Sequence, residues 1–152
     1  MTMNIPVRIE QFPNHNESIG RIGENLVSYY LEAVGIECSI VDRRGSDIWC
    51  KSNDGSLFTI EVKSTPKTHL AKTGLDGTEY RYYTYTLKKK EADQFVLVCL
   101  DTSLIRILSK EMLLERVNKR MLHMKPEEFS EELMRQDIER LKDTYSLTQV
   151  ET

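Results

Sequence analysis

Glu61 and Lys63 stand one residue apart in the stretch Phe58-Thr-Ile-Glu-Val-Lys-Ser64. Read with a period of two, Phe58, Ile60 and Val62 share one face of a strand, and Thr59, Glu61 and Lys63 share the other. A carboxylate on an otherwise apolar strand costs desolvation energy unless a partner or a cation offsets it. Glu61 and Lys63 could be a surface ion pair, which contributes little. They could also be the acid and base of a site built around a divalent cation. Further acids decide between the two.

Asp47 is the first of these acids. Asp47-Ile-Trp-Cys-Lys51 reads as a strand, with Asp47, Trp49 and Lys51 on one face and Ile48 and Cys50 on the other. Ser52-Asn-Asp-Gly-Ser56 then signals a hairpin, because Asp-Gly and Asn readily take positive φ. A two-residue turn at Asp54-Gly55 sets Asp47 opposite Val62, diagonal to Glu61 and Lys63, and twist or a bulge must then bring the acids together. A three-residue turn sets Asp47 directly opposite Glu61, with Cβ atoms roughly 5 Å apart. In both registers two carboxylates and one lysine converge.

Such a group suits phosphodiester hydrolysis. The ester is anionic and repels hydroxide; a divalent cation offsets the charge, polarises the phosphoryl oxygen and acidifies a bound water. Magnesium takes hard oxygen ligands and keeps several waters. Asp47, Glu61 and the backbone carbonyl of Val62 would supply them, with manganese able to substitute. Lys63 would orient the water or stabilise developing negative charge. Glu24, on an upstream helix, could hold a second metal directly or through water.

The elements that position these residues follow from periodicity. Asn14 with Glu17 can cap a helix over about 18–34, whose apolar stripe is Ile19, Ile22, Leu26, Tyr30 and Leu31. Gly20 and Gly23 are poor helix formers and suggest a close approach just before Glu24. Strands are expected at 36–41, 47–51 and 57–64. A long loop over 65–79 follows, then a tyrosine-rich strand over 80–87, a helical turn at 88–93, and strands at 95–100 and 104–108. Leu113, Val117 and Met121, spaced by four, predict a helix over 110–123. A second helix begins at Pro126 and carries Phe129, Leu133, Ile138 and Leu141. Residues 1–17 read as an irregular arm and 144–152 as a fraying tail.

The 152 residues, 39% apolar and 30% charged, suit one globular domain, with a core at about 18–110 and a C-terminal helical extension at about 110–143. The sequence has no membrane-spanning run and no secretory signal, so the cytoplasm is the expected location. Net charge is −3, yet Lys63 to Lys90 holds seven bases against two acids, a basic segment able to meet phosphates. Lys67, Lys72, Arg81, Lys88 and Lys89 are the candidate DNA contacts. Tyr83, Tyr85 and Leu87 alternate as core residues would. Cys38, Cys50 and Cys99 read as separate buried thiols, and His15, His69 and His123 as unclustered.

Gly45-Ser-Asp47 followed across a hairpin by Glu61-Val-Lys63 resembles the PD-(D/E)XK nuclease superfamily. Arg21-Ile-Gly-Glu24 is similar to the leading acid of its resolvase-like members. These include archaeal Holliday junction resolvases and a compact group containing an intron-encoded homing endonuclease. The resemblance covers about residues 18–110. Gly-Ser stands where the superfamily's name has proline. The resemblance implies an α/β, restriction-endonuclease-like fold: a mixed central sheet flanked by helices, here with two C-terminal helices. It further implies magnesium-dependent DNA cleavage by a homodimer or homotetramer. Asp47 and Glu61 would bind metal, Lys63 would assist the water and Glu24 would be an accessory acid. The activity would be of homing or restriction type. The alternatives are a Holliday junction resolvase and, in another class, a non-catalytic DNA-binding module on the same fold.

Overall fold

A computed structural model describes residues 15–43, 46–72, 75–88 and 90–146. Most of the expected arm with its Asn14 cap, Lys89 and the end of the tail lie outside these residues; His15 to Glu17, expected in the arm, already belong to the first helix. Helix α1 (His15–Glu32) leads into a meander of β1 (Glu37–Arg43), β2 (Ser46–Lys51) and β3 (Leu57–Thr65). Then come β4 (His69–Lys72), β5 (Glu79–Thr86), β6 (Gln94–Cys99), β7 (Leu104–Ser109), α2 (Lys110–Arg116), β8 (Met121–Met124) and α3 (Glu131–Thr144). A five-stranded sheet has the order β1-β2-β3-β6-β7, with β3 and β6 parallel and the other neighbours antiparallel. A smaller antiparallel sheet has the order β4-β5-β8. This is the expected mixed sheet flanked by helices. No described helix is long and apolar enough to cross a membrane.

Strand alternation divides the interior in two. Ile48, Phe58, Ile60, Val62, Val96, Val98, Ile105 and Ile107 project to one face and pack with α1 and α3. Phe95, Leu97, Cys99 and Leu108 project to the other and pack with Leu113 of α2 and with Tyr83, Tyr85, Leu122 and Met124 of the small sheet. Tyr83 and Tyr85 are therefore core residues. Gly23 lets α1 press onto β3: a Cβ there would stand 1.7 Å from Ser64 Oγ and 3.7 Å from Val62 Cγ1.

The helix expected over 110–123 stops at Arg116, and Val117 is its cap. Lys119 turns the chain at φ 60°, with Asn118 N and Met121 O, and Met121 N and Asn118 O, closing the reversal. Met121–Met124 then pairs with β5. The residues inside that stretch have a period of two, with Leu122 and Met124 buried and Met121 and His123 outward. Pairing with the edge of β5 outweighs the four-residue spacing. The second helix also starts late. Pro126–Glu128 forms a 3-10 turn, Phe129 enters the core under the small sheet, and Ser130 Oγ caps α3 by accepting Leu133 N–H at 3.1 Å. Residues 88–93 contain no helical turn among the described residues, and part of the 65–79 loop is β4.

Asp137, buried on α3, ties that helix to β7. One of its oxygens accepts Arg106 Nε at 2.7 Å and Ile107 N–H at 2.8 Å. Arg106 Nη1 donates onward to Glu128 O at 2.7 Å. Removing one partner of such a buried pair leaves the other uncompensated. Asp137→Ala should lower unfolding free energy in urea by about 3–5 kcal/mol; a loss below about 1 kcal/mol would contradict this account.

Candidate active site

The β2–β3 hairpin takes the register that aligns the two acids. Its pairs are Ile48↔Ile60, Trp49↔Thr59, Cys50↔Phe58 and Lys51↔Leu57. Gly55 N–H donates to Ser52 O at 3.0 Å, Ser52 N–H donates to Ser56 O at 2.9 Å, and Gly55 adopts φ +90°. This is a three-residue loop with its glycine in the left-handed region. Continued by one step, the register sets Asp47 opposite Glu61. There the backbone ladder ends and a side chain replaces it, as Val62 N–H donates to Asp47 Oδ2 at 2.7 Å.

β3 changes partners at the same point. Leu57 to Ile60 pair with β2, and Ile60 to Thr65 pair with β6. Beyond Ile60, no described residue of β2 pairs with β3 through its backbone, and a side chain meets Val62 N–H instead. In an extended residue the N–H and C=O point to the same edge. Because Val62 N–H points at Asp47, the Val62 carbonyl also faces the open edge.

Glu61 is 8% exposed, and its Oε2 is buried without a hydrogen-bond partner. Burial pushes its carboxyl up to about 6. The Lys63 charge opposes that rise, Asp47 and Glu91 add to it, and Lys90 opposes it. Lys90 and Glu91 are not among the site residues expected from the sequence. They come close because β6 runs parallel to β3 with Gln94 beside Ile60, which places the preceding segment beside the start of the site. Asp93 closes that segment onto β3, accepting Thr59 N–H at 2.9 Å and donating its own N–H to Thr59 Oγ1 at 3.1 Å. Only the parallel register could have revealed this.

Asp47, Glu61 and Lys63 belong to the face covered in part by the small sheet. Glu24 follows Gly23 on α1, which packs on the opposite face, and it is half-buried. Among the described residues no three His, Cys, Asp or Glu side chains group closely enough to hold a metal ion by themselves. The two carboxylates that the hairpin register brings opposite each other are Asp47 and Glu61, and further ligands would be backbone, water or substrate oxygens.

The basic residues lie around the small sheet. Lys67 follows β3. Lys72 ends β4 and pairs with Glu79 at 3.9 Å, both exposed. Arg81 on β5 donates to Thr68 Oγ1 at 3.2 Å, and Lys88 is exposed beyond the far end of β5. His69 and His123, distant in sequence, both lie against Tyr82, with ring centroids at 5.9 and 4.9 Å; Tyr80 lies 5.9 Å from Tyr82. This four-ring row covers the outward face of the small sheet, and strand pairing across three segments had hidden it.

No protein-family model matches the chain, and no curated protein sequence matches it. Its fold is similar to the solved structure of a bacterial homing endonuclease, I-Ssp6803I. The TM-score is 0.60 at 13% identity, over 90% of this chain and 97% of that one.

The raised carboxyl of Glu61 has a measurable consequence. Between its ordinary value of 4.5 and about 6, the native state holds a proton that the unfolded state has released. Stability fully present below pH 4.5 is therefore lost as pH rises through about 6. The loss is about 2 kcal/mol. Glu61→Gln stays neutral throughout. Without divalent cations it should match the parent near pH 4 and exceed it by about 2 kcal/mol at pH 8 in urea unfolding. A gap of equal size at both pH values would remove the titration from the account.

Proposed function

We propose that the chain is a divalent-cation-dependent DNA endonuclease of homing or restriction type. The observation that carries this reading is the buried, donorless Oε2 of Glu61 on the face it shares with Asp47. A carboxylate oxygen in that position is either protonated or paired with a cation. The similarity in fold to a homing endonuclease supports the same reading.

The donor set fits magnesium, or manganese in its place. Glu61, Asp47 and the Val62 carbonyl are hard oxygen donors, and fewer than three carboxylates suits a cation that keeps waters and takes phosphate oxygens. When bound, the cation supplies charge neutralisation at the phosphodiester and acidifies water. Asp47 is held against β3 by Val62 N–H, so its position is set before any ligand arrives. Lys63 projects from the same face two residues beyond Glu61 and places a positive charge where negative charge develops on the phosphate. Glu24 serves as an accessory acid from the helix side. Lys67, Lys72, Arg81 and Lys88 contact the DNA backbone, to which their charge gives affinity without sequence. Two or four copies act together, so that both strands are cut.

Asp47→Ala and Glu61→Ala should each abolish magnesium-dependent nicking of supercoiled plasmid while leaving far-ultraviolet circular dichroism unchanged. Lys63→Ala should slow turnover at least about 100-fold with cation binding retained. Full cutting by both acid variants would refute the site. A panel of linear duplex, four-way junction and single-stranded DNA separates the readings: preference for the junction would favour a resolvase, and binding with no cleavage under magnesium or manganese would favour a non-catalytic module.

A further inference from the structure

Cys38 on β1 and Cys50 on β2 are direct cross-strand partners, and their Sγ atoms stand 3.9 Å apart. The sequence separates them by a turn and gives no sign of the pairing. Directly opposed residues of antiparallel strands have Cα atoms about 4.5 or 5.5 Å apart. A disulfide spans Cα separations of about 4.4–6.8 Å, so the backbone need not move far to admit one. The two thiols also differ. Cys38 is half-exposed on the edge strand of the sheet, whereas Cys50 is 3% exposed within the core beneath α1. The contact with Cys50 lowers the Cys38 thiol below its ordinary value, and the same contact and burial raise that of Cys50.

We propose that Cys38 and Cys50 form a site of reversible covalent modification that reacts with low-molecular-weight disulfides and closes into a cross-strand disulfide. Cys38, as thiolate, attacks one sulfur of the small disulfide; the sulfur–sulfur bond breaks and one small thiolate leaves, taking up a proton as the first thiol. Cys50 then loses its proton and attacks Cys38 Sγ. A second small thiol leaves, and the bond Cys38–Cys50 remains. The protein loses two electrons and two protons, and the small disulfide gains them. The exposed thiol is the entry point, and the buried one is the resolving group that has only 3.9 Å to cover. Cys99 takes no part: it is fully buried on the opposite face, 3.3 Å from Tyr85 Oη. The product fastens β1 to β2, the strand that also carries Asp47.

The test is incubation of the full chain with oxidised glutathione under native conditions, alkylation of remaining thiols, and peptide mass mapping without reduction. We expect a cross-linked pair of peptides bearing Cys38 and Cys50, two hydrogens lighter than their sum. It should be restored to free thiols by dithiothreitol and be equally abundant in Cys99→Ser. Cys50→Ser should halt at a glutathione adduct on Cys38. The unsubstituted oxidised protein should unfold at higher urea concentration than the reduced one. A stable Cys38–glutathione adduct in the unsubstituted chain, an unreacted Cys38, or a disulfide between chains would each overturn the proposal. These readings need no nuclease activity, so they stand or fall separately from the proposed function.

Discussion

The hydrogen bond from Val62 N–H to Asp47 Oδ2 sits where the central sheet hands β3 from one neighbour to the other. A strand inside a sheet ordinarily has both edges filled by backbone. β3 has its two neighbours in succession, β2 up to Ile60 and β6 from Ile60 onward. The exchange leaves backbone groups on the β2 side that must find partners elsewhere. Asp47 satisfies one of them, and in doing so it is drawn to the level of Glu61. The geometry of the two acids is therefore a by-product of sheet topology. It needs no further device to hold it, and it is disturbed by anything that shifts β2 along β3.

The second constraint is the way the sheet separates two cores. Every apolar residue of β3 and β6 is committed to one side by the strand period. Glu61, which shares its face with Asp47 and Lys63, is consequently projected beside Phe95 and Leu97, whose side chains belong to the core under the small sheet. Its burial arises from that neighbourhood, and its raised carboxyl follows from burial before any nearby charge is considered. The ion pair of Arg106 and Asp137 performs a different task on the other side. It locks α3 over β7 and so closes the core that supports Ile60 and Val62 from below.

Local pattern carried much of this structure. The apolar period of α1, the alternation of β3 and the turn chemistry of Asp54-Gly55 all act within a few residues of themselves, and each was legible. The hairpin left two registers open because Asp-Gly suits both a two-residue turn and the end of a three-residue one. Folding selected the register with Gly55 at φ +90°. What escaped was pairing between distant segments. Val117 and Met121 have helical spacing, but the vacant edge of β5 offered Leu122 and Met124 a place in the core, and a strand resulted. Cys38 and Cys50, His69 and His123, and the approach of Lys90 and Glu91 to Glu61 depend equally on which strands lie side by side. No one-dimensional pattern encodes that choice.

β5 lies across the boundary between two environments. From Tyr83 onward its inward residues are buried beneath the central sheet, while Glu79, Tyr80 and Arg81 are exposed and paired only with the short β4. One strand is thus anchored at one end and projects at the other. Residues in the projecting part bury little, so their replacement changes neither core volume nor the register of the hairpin holding Asp47. Variation can accumulate in the β4–β5 projection at little cost to folding, whereas β3 is fixed by two ladders and two cores. The molecule joins a tightly constrained frame to a lightly constrained appendage, and a single continuous strand links them.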